Sequence, residues 1–250
     1  MSTIYVNNIQ PSLGSTVTIA SGNNLSLGGT IISPSSVLPS PSGQAGKAIQ
    51  STGSGWQYSS YGANGISVFT SSGTWVRPSG VNVILVKLVG AGGGGSGHCE
   101  SGGAGGYAEK VIDVSGISSV SVTVGNGGTP TYYSGSAGQG GTTSFGGYLS
   151  ATGGNGANSN NQHHGGLPGL GSGGDFNNYG GGGTNHGQYN GRGGSSYFGG
   201  AGAAGHPQGG AYNVNYQYLV APGAGGTNGW ITSYAGNYGS TGIVIIWEYK

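Results

Sequence analysis

Hydrophobic and polar residues alternate in short runs along the middle of the chain and again near its last residues. Six runs separated by Gly, Ser and Pro predict β-strands, over 67–70, 74–77, 81–89, 107–114, 119–124 and 142–151. A seventh run, 242–249, is apolar on both faces, as is typical of a strand covered on both sides. No stretch has a helical period of useful length. The pattern predicts an all-β sandwich or roll whose last strand returns to pair with the early ones.

A glycine-rich stretch, 90–226, interrupts these runs and holds most of the chain's 62 glycines. One interpretation is a flexible tether, because Gly-rich polar chains bury little apolar surface. The other is a bundle of polyglycine-II helices, in which a turn of three residues crowds glycines together as in collagen. Spacings such as Gly180/Gly183 and Gly191/Gly194 fit that turn, and the low charged fraction of 4% favours order. We expect the bundle to be a large insertion projecting from the sandwich.

Residues 1–62 predict a separate amino-terminal β segment. Short alternating runs end at glycine turns, and residues 1–32 contain no charged side chain. Because this segment is too short to build a core alone, we expect its apolar faces to meet other chains. Three prolines make 33–44 an extended linker, and 46–58 predicts a hairpin around residues 52–55. Residues 63–250 form the second, glycine-rich domain.

Composition and charge exclude several functions. A hydrophobic fraction of 34% is too low for a large conventional core. Six basic and five acidic residues give a net charge of +1 and no basic stripe, so no nucleic-acid partner is expected. Cys99 is the single cysteine, which rules out an intramolecular disulfide. Residues 1–10 lack the features of a signal peptide, and no apolar run approaches the ~20 residues of a membrane helix. We therefore expect synthesis in the cytoplasm without a signal peptide, and no membrane insertion.

The ionisable residues do not form a recognisable catalytic set. A glycan depolymerase needs two carboxylates at a defined separation. Glu109 and Asp113 lie on one predicted strand, about 13 Å apart by strand rise, and Glu100 could reach Asp175 only through folding. The five histidines lie between glycine clusters without metal-ligand spacing, although a site across an oligomer axis stays open. We expect no catalytic residue, no cofactor and no metal.

Short inserts between the glycine clusters are the candidate binding loops. They are rich in Tyr, Asn, Ser, Gly and His, a composition that resembles antibody binding loops. The alternative is that their aromatic rings shield the glycine segments from water. Four aromatic residues in predicted strands are assigned to the core instead: Tyr107, Phe145, Tyr148 and Trp247. The predicted binding residues are Tyr132, Tyr133, His163, His164, Phe176, Tyr179, His186, Tyr189, Tyr212, Tyr216, Tyr218, Trp230 and Tyr234.

The sequences VFTSSGTWVRP at 68–78, VNVILVKLVGAGGGGSG at 81–97, GGAGGYAEKV at 102–111 and the closing IVIIWEY resemble the glycine-rich domain of bacteriophage tail-fibre proteins. They are also similar in style to the tail-fibre tip adhesins of T-even-type phages. The resemblance covers 66–250. More loosely, residues 1–62 resemble the amino-terminal segments of marine phage fibres, notably in GKAIQSTGSGW.

The resemblance implies a non-enzymatic host-recognition protein of the virion. Its loops between polyglycine-II helices would bind a host outer-membrane protein or surface polysaccharide. Residues 1–62 would join other tail, baseplate or fibre proteins of the virion and form a homotrimer, with a monomer left open. The alternatives are a structural capsid fibre or decoration protein without receptor binding, an ice-binding protein, and a depolymerase acting through Glu100 or Asp175.

Overall fold

The computed structural model describes residues 42–43, 47–51, 56–60, 63–97, 100–132, 135–159, 164–185, 191–201, 221–229 and 236–250. The chain divides into two compact units, Met1–Tyr61 and Gly62–Lys250. In the first unit, β1 (Lys47–Ser51) pairs with β2 (Trp56–Ser60) in an antiparallel hairpin, as the sequence predicts. The predicted strands of residues 1–32 lie outside the described residues. So does the linker 33–44, except for residues 42–43, which form a turn.

The second unit contains two antiparallel five-stranded sheets. We call the first the front sheet; its strands in order are β11 (Phe176–Asn178), β6 (Tyr107–Asp113), β5 (Val83–Val89), β12 (Ile243–Tyr249) and β3 (Ala63–Phe69). We call the second the back sheet; its order is β10 (Gly171–Ser172), β9 (Leu149–Ala151), β8 (Thr143–Phe145), β7 (Ser119–Thr123) and β4 (Gly73–Val76). The closing strand β12 lies between β5 and β3, so the predicted return to the early strands is confirmed.

Apolar side chains from both sheets form one core. On β5, the alternation places Ile84, Val86 and Leu88 on one face, and all three are fully buried. They meet back-sheet residues that include Trp75 and Phe145, whose rings pack edge to face at 5.9 Å. Burial of such side chains is the main stabilising term of a two-layer domain.

The core assignments of the strand aromatics hold in part. Phe145 is buried in the core as predicted. Tyr107 is fully buried, but it lies on the outer side of the front sheet beneath the stacked ring of Tyr197. Tyr148 is exposed in the turn between β8 and β9, and Trp247 is only half-buried on the outer surface of the front sheet. These exceptions follow from position, because a turn residue and the outward side of a strand need not face the partner sheet.

A buried carboxylate crosses between the two sheets. Glu248 on β12 is almost fully buried, and its Oε1 accepts hydrogen bonds from Trp75 Nε1 at 2.9 Å and Ser67 Oγ at 2.8 Å. A Cβ at Gly65 would approach the second oxygen of Glu248 closer than 3.0 Å. Hydrogen-bond donors must accompany a buried carboxylate, because burying it without them is costly.

The glycine segments are interleaved with the strands, so the predicted single insertion is wrong. Most strands of the two sheets continue directly into a glycine segment, as β5 does at Gly90, and a second segment brings the chain back to the next strand. This arrangement arises because a backbone without side chains can accept new hydrogen-bonding neighbours where the sheet stops. The described residues contain ten such segments: 90–97, 100–106, 125–131, 137–141, 152–158, 164–170, 180–185, 191–196, 222–229 and 236–242.

Segment 90–97 lies at the centre of the array, with six neighbouring segments. Its N–H groups bond to three of them in a repeat of three residues. Gly90, Gly93 and Ser96 donate to segment 100–106, Ala91 and Gly94 to 137–141, and Gly92 and Gly95 to 236–242. Its carbonyls accept from the other three segments with the same repeat, namely 152–158, 125–131 and 222–229.

Segment 100–106 is a second centre. Its N–H groups donate in turn to 180–185, 222–229 and 152–158, again every third residue, and its carbonyls accept from 90–97, 164–170 and 191–196. The eight remaining segments surround this pair, and neighbours around the ring are also hydrogen-bonded, as Gly140 N–H is to Gly154 O at 2.9 Å.

Contacts within this array leave almost no space for side chains. A Cβ on any of Gly92, Gly93, Gly94 or Gly95 would lie closer than 3.0 Å to a backbone oxygen of a neighbouring segment. Ala91 and Ala104 are the two fully buried alanines of the central pair. The described residues contain no α-, 3₁₀- or π-helix, so the all-β class is confirmed, while the polyglycine-II assignment stays a prediction at this point.

Candidate functional site

The ten segments run between two chemically different ends. At one end they join the two sheets; at the other, which we call the loop end, five connections reverse the chain. Hydrogen bonds place the described residues beside these connections at one level: Ser96 N–H donates to Glu100 O, Gly229 N–H to Ser96 O, and Gly236 N–H to Thr131 O. The five connections lie within 97–100, 131–137, 158–164, 185–191 and 229–236.

Buried polar residues cluster at the loop end. The sheet end is filled by the apolar core, whereas the loop end buries hydroxyl, amide and carboxyl side chains. Buried polar groups are usually held in place by hydrogen bonds, and this holds for Ser96, Glu100 and Ser101, whereas Asn228 Oδ1 is buried without a hydrogen-bond partner. The buried polar residues here are Ser96, Glu100, Ser101, Ser159, Thr227 and Asn228.

Glu100 closes the first connection at the centre of the loop end. It is fully buried; its Oε2 accepts a hydrogen bond from Ser96 Oγ at 2.6 Å, and its own N–H donates to that hydroxyl at 3.3 Å. Ser101 and Thr184 join the next pair of segments through their hydroxyls at 3.2 Å. The described residues at the loop end are therefore joined to one another by side-chain hydrogen bonds.

Two of the predicted binding residues lie at this end among the described residues. Tyr132 is 68% exposed and follows Thr131, whose N–H donates to Gly95 O. His164 is exposed and exchanges two backbone hydrogen bonds with Asn158, both 3.0 Å. The sheets and glycine segments bring these side chains to the same end from segments far apart in sequence.

Two other predicted binding residues lie at the sheet end. Phe176, expected in a loop, is in β11, which pairs with β6 opposite Glu109. Tyr179 is 63% exposed and forms an isolated bridge with Leu170, just before segment 180–185 begins. The described structure does not bring this pair together with Tyr132 and His164.

The remaining predicted binding residues lie outside the described residues. Tyr133, His163, His186, Tyr189, Trp230 and Tyr234 belong to the connections whose described flanks are at the loop end. Tyr212, Tyr216 and Tyr218 belong to 202–220, whose flanks are at the sheet end: Tyr197 stacks on Tyr107 at 3.5 Å, and Gly223 lies against Val89.

A groove with both polar and apolar lining runs along one flank of the array beside the loop end. Its volume is about 340 Å³, within the range of small-ligand sites, and it lies between segments 137–141, 152–158 and 164–170. Sequence reasoning identified only His164 here; Gln139 and Asn155 are single polar residues within glycine clusters, which is the signal that could have found them. The side chains along it belong to Ser136, Gln139, Asn155, Asn158, His164 and Leu167, with no Asp, Glu, Lys or Arg among the described lining residues.

The acidic residues lie in separate parts of the domain and have different partners. Glu100 is buried at the loop end, whereas Asp175 Oδ2 accepts from Val111 N–H at 2.9 Å at the sheet end, so folding does not unite them. Glu109 is engaged by Lys87 at 3.4 Å and Tyr107 Oη at 2.6 Å. An N–H bond from Ser115 lowers the pKa of Asp113.

The described part of the chain contains no group of three or more His, Cys, Asp or Glu residues able to hold a metal ion. It also contains no helix long and apolar enough to cross a membrane.

Comparison with known protein families assigns the fold to a class. The model of the glycine-rich domain family matches residues 66–248, which include all ten glycine segments and both sheets except the first three residues of β3 and the last residue of β12. The chain therefore belongs to the glycine-rich domain family. No curated protein matches it closely enough to count as a relative.

Proposed function

We propose that this protein is a bacteriophage tail-fibre or tail-tip adhesin that binds a host-cell surface receptor through its loop end. The observation that carries the proposal is the gathering of five chain reversals at one end of a rigid array, far from the sheets. Exposed, variable-composition loops on a rigid scaffold are the usual arrangement of recognition proteins.

The rigid scaffold itself is proposed to be a bundle of polyglycine-II helices. A helix of this type turns once in three residues, and the donors of segment 90–97 change neighbour with that repeat. Six neighbours around each central segment are what a hexagonal packing of such helices requires. With a rise of about 3.1 Å per residue, a seven-residue segment would hold the loops roughly 20 Å from the sheets.

The loop end favours a neutral or weakly charged receptor surface. The groove residues Gln139 and Asn155 offer amide donors and acceptors, and Tyr132 offers a flat ring. Amides and aromatic faces suit the hydroxyls and ring faces of a surface polysaccharide as well as an outer-membrane protein loop. No chemical step is part of the proposed function, and no cofactor takes part.

Assembly supplies the strength of attachment in this proposal. Residues 1–62 would hold three copies together and join the other fibre, tail or baseplate proteins of the virion. Several weak loop ends acting together bind far more strongly than one. The protein would be made in the host cytoplasm and would act on the virion.

An adsorption assay with the purified full chain tests the proposal. The protein should bind host cells and lower adsorption of the phage that carries it. Tyr132→Ala should weaken cell binding about tenfold, because truncating an exposed aromatic anchor removes roughly 1–2 kcal/mol. Tyr179→Ala, equally exposed but at the sheet end, is the matched control and should bind like the wild type.

Two results would refute this function. Equal loss of binding in Tyr132→Ala and Tyr179→Ala would show that the loop end is not the contact. Unchanged adsorption, with the protein bound to phage heads, would support the alternative of a structural capsid fibre or decoration protein.

A further inference from the structure

The groove beside the loop end is built from hydrogen-bonded segments of the array. Segment 152–158, which we call the middle segment, lies between 137–141 and 164–170 and is hydrogen-bonded to both. One of these bonds runs from Asn155 N–H to Leu167 O at 2.8 Å. The groove is therefore formed by the frame before any ligand arrives, as is usual for small-ligand sites.

Two side-chain amides in the groove are not used by the fold. Gln139 and Asn155 are exposed, and neither side chain is hydrogen-bonded to any residue that the structure describes. Asn155 takes part in the array only through its backbone N–H and C=O groups. A side-chain amide has two donor hydrogens and an accepting oxygen, so both residues can serve a ligand without any loss to the frame.

Gly156 adds free backbone groups between these amides. The next residue, Ala157, donates its N–H to Gly94 O at 2.9 Å, whereas the N–H and C=O of Gly156 make no hydrogen bond within the described structure. A Cβ at Gly156 would collide with the carbonyl oxygen of Ala137, so this position has to stay without a side chain. A free donor and a free acceptor are therefore presented at one bare residue of the groove.

The other lining residues disfavour a charged ligand. Asp, Glu, Lys and Arg are absent from the described lining, and the ionisable side chain there is that of His164. An ionic ligand would lose hydration at this surface without gaining a counter-charge. Leu167, which is 66% exposed, adds an apolar surface to one wall. The groove therefore suits a neutral ligand that has both polar and apolar surface.

An extended peptide fits this groove poorly. Pairing with a peptide needs a row of free N–H and C=O groups along one edge. The N–H and C=O groups of Asn155 and Asn158 are already bonded within the array, so Gly156 is the residue of the middle segment that leaves both groups free in the described groove.

We propose that the groove binds a neutral sugar unit of a cell-surface polysaccharide. A hydroxyl group donates and accepts at the same oxygen, which matches the two amides and the free groups of Gly156, and the C–H face of a sugar ring can pack on Leu167. The volume of about 340 Å³ lies near the lower end of the roughly 300–1,000 Å³ range of ligand sites, which suits a short sugar and not a protein loop. This inference rests on the proposed function and names the chemical class of its receptor.

Saturation-transfer NMR titrations of the full chain test the inference. The probes are glucose, galactose, mannose and N-acetylglucosamine, with glucuronate as the charged counterpart of glucose. At least one neutral sugar should bind with a millimolar Kd, and glucuronate should bind more weakly than glucose. Asn155→Ala should weaken the binding of the neutral sugar about fivefold, because one hydrogen bond to the ligand is lost.

Asn126→Ala is the matched control. Asn126 is exposed and stands between two glycines, as Asn155 does, but it lies in segment 125–131 and does not line the groove. Its affinity for the sugar should stay within about twofold of the wild type. Both variants should keep the wild-type melting temperature, since neither side chain is hydrogen-bonded within the described part of the chain.

The outcomes separate this inference from the proposed function. Absence of saturation transfer to every neutral sugar, or equal loss of affinity in Asn155→Ala and Asn126→Ala, would overturn the inference. If Asn155→Ala lowers binding to host cells while no sugar binds, the groove contacts a protein receptor, and the sugar assignment alone fails. If a sugar binds as expected but the protein does not bind host cells, the adhesin function fails and the sugar site stands.

Discussion

Gly93→Ala is the sharpest test of the close-packed glycine array. Gly93 lies in the central segment, donates a 2.9 Å hydrogen bond to Gly103 O, and accepts one of 2.8 Å from Gly226 N–H. A Cβ there would collide with the carbonyl of Asn155, which itself accepts from Gly103 N–H at 3.0 Å. The added methyl group therefore strikes backbone that is already fixed by hydrogen bonds on both sides.

The cost of Gly93→Ala follows from these contacts. Overpacking of a rigid interior costs about 1–3 kcal/mol, and separating the segments by roughly 1 Å would weaken two or three hydrogen bonds worth about 1 kcal/mol each. We expect the free energy of unfolding to fall by about 3–5 kcal/mol. Gly182→Ala is the control. Gly182 is exposed in segment 180–185, and a Cβ there would lie 3.8 Å from Gly166 O, an ordinary van der Waals contact.

Urea unfolding at one fixed protein concentration measures both variants. Gly182→Ala should be neutral or stabilised by up to about 1 kcal/mol, because alanine restricts the unfolded chain. Gly183→Ala, in the same segment but facing Ser101 O, should lie between the two. If Gly93→Ala and Gly182→Ala unfold within about 0.5 kcal/mol of each other, the close packing of the central segment is refuted.

Three further predictions concern the core, its pH dependence and the groove. Trp75→Phe should lower the free energy of unfolding in urea by about 2 kcal/mol, because buried Glu248 loses a donor; no change would mean that water replaces it. Burial, with the Glu109 hydrogen bond, raises the pKa of Tyr107 above its usual value of 10.0. The unfolded chain therefore loses this proton first, and stability should fall as pH rises above about 10. Tyr107→Phe should flatten that fall in thermal melts, and parallel curves would contradict the assignment. Leu167→Asp in the groove should reduce binding to host cells without changing the melting temperature, whereas Leu170→Asp, exposed nearer the sheet end, should leave binding unchanged.

The strands could be predicted because their side chains carry the signal. Val81–Val89 alternates in sequence, and β5 buries one of the two faces that the alternation defines, the one with Ile84, Val86 and Leu88; the alternation did not say which face is inward. The short strands β10 and β11 were missed, since runs of two and three residues leave no period to detect. The outer side of β12 was expected to be covered, because the strand is apolar on both faces. Such a pattern indicates burial but does not show which molecule covers the strand.

The arrangement of the glycine segments could not be predicted from the sequence. Strand pairing leaves a pattern of side chains in the sequence. A bond such as that from Gly102 N–H to Gly226 O joins residues that are far apart in the chain, and neither glycine has a side chain that could indicate the pairing. The same absence hides the groove, whose lining residues come from three segments that are separated in the chain. Composition could indicate a crowded array, but it could not say which segments form the centre.

The sheets are stabilised by packed side chains, whereas the glycine segments are joined by backbone hydrogen bonds. This difference explains how one domain can combine a fixed frame with connections whose sequence can change. The frame between the sheets and the loop end is joined by backbone hydrogen bonds, which depend on the lack of side chains and on little else about sequence. Changes in the five connections leave those bonds intact as long as residues such as Ser96, Glu100 and Thr131 keep the base of the loop end in place. A substitution in a connection should therefore alter binding while sparing stability, and a substitution at a central glycine should do the reverse by unfolding the frame. Separation of the two effects would suit the proposed receptor binding, and it follows here from backbone packing alone.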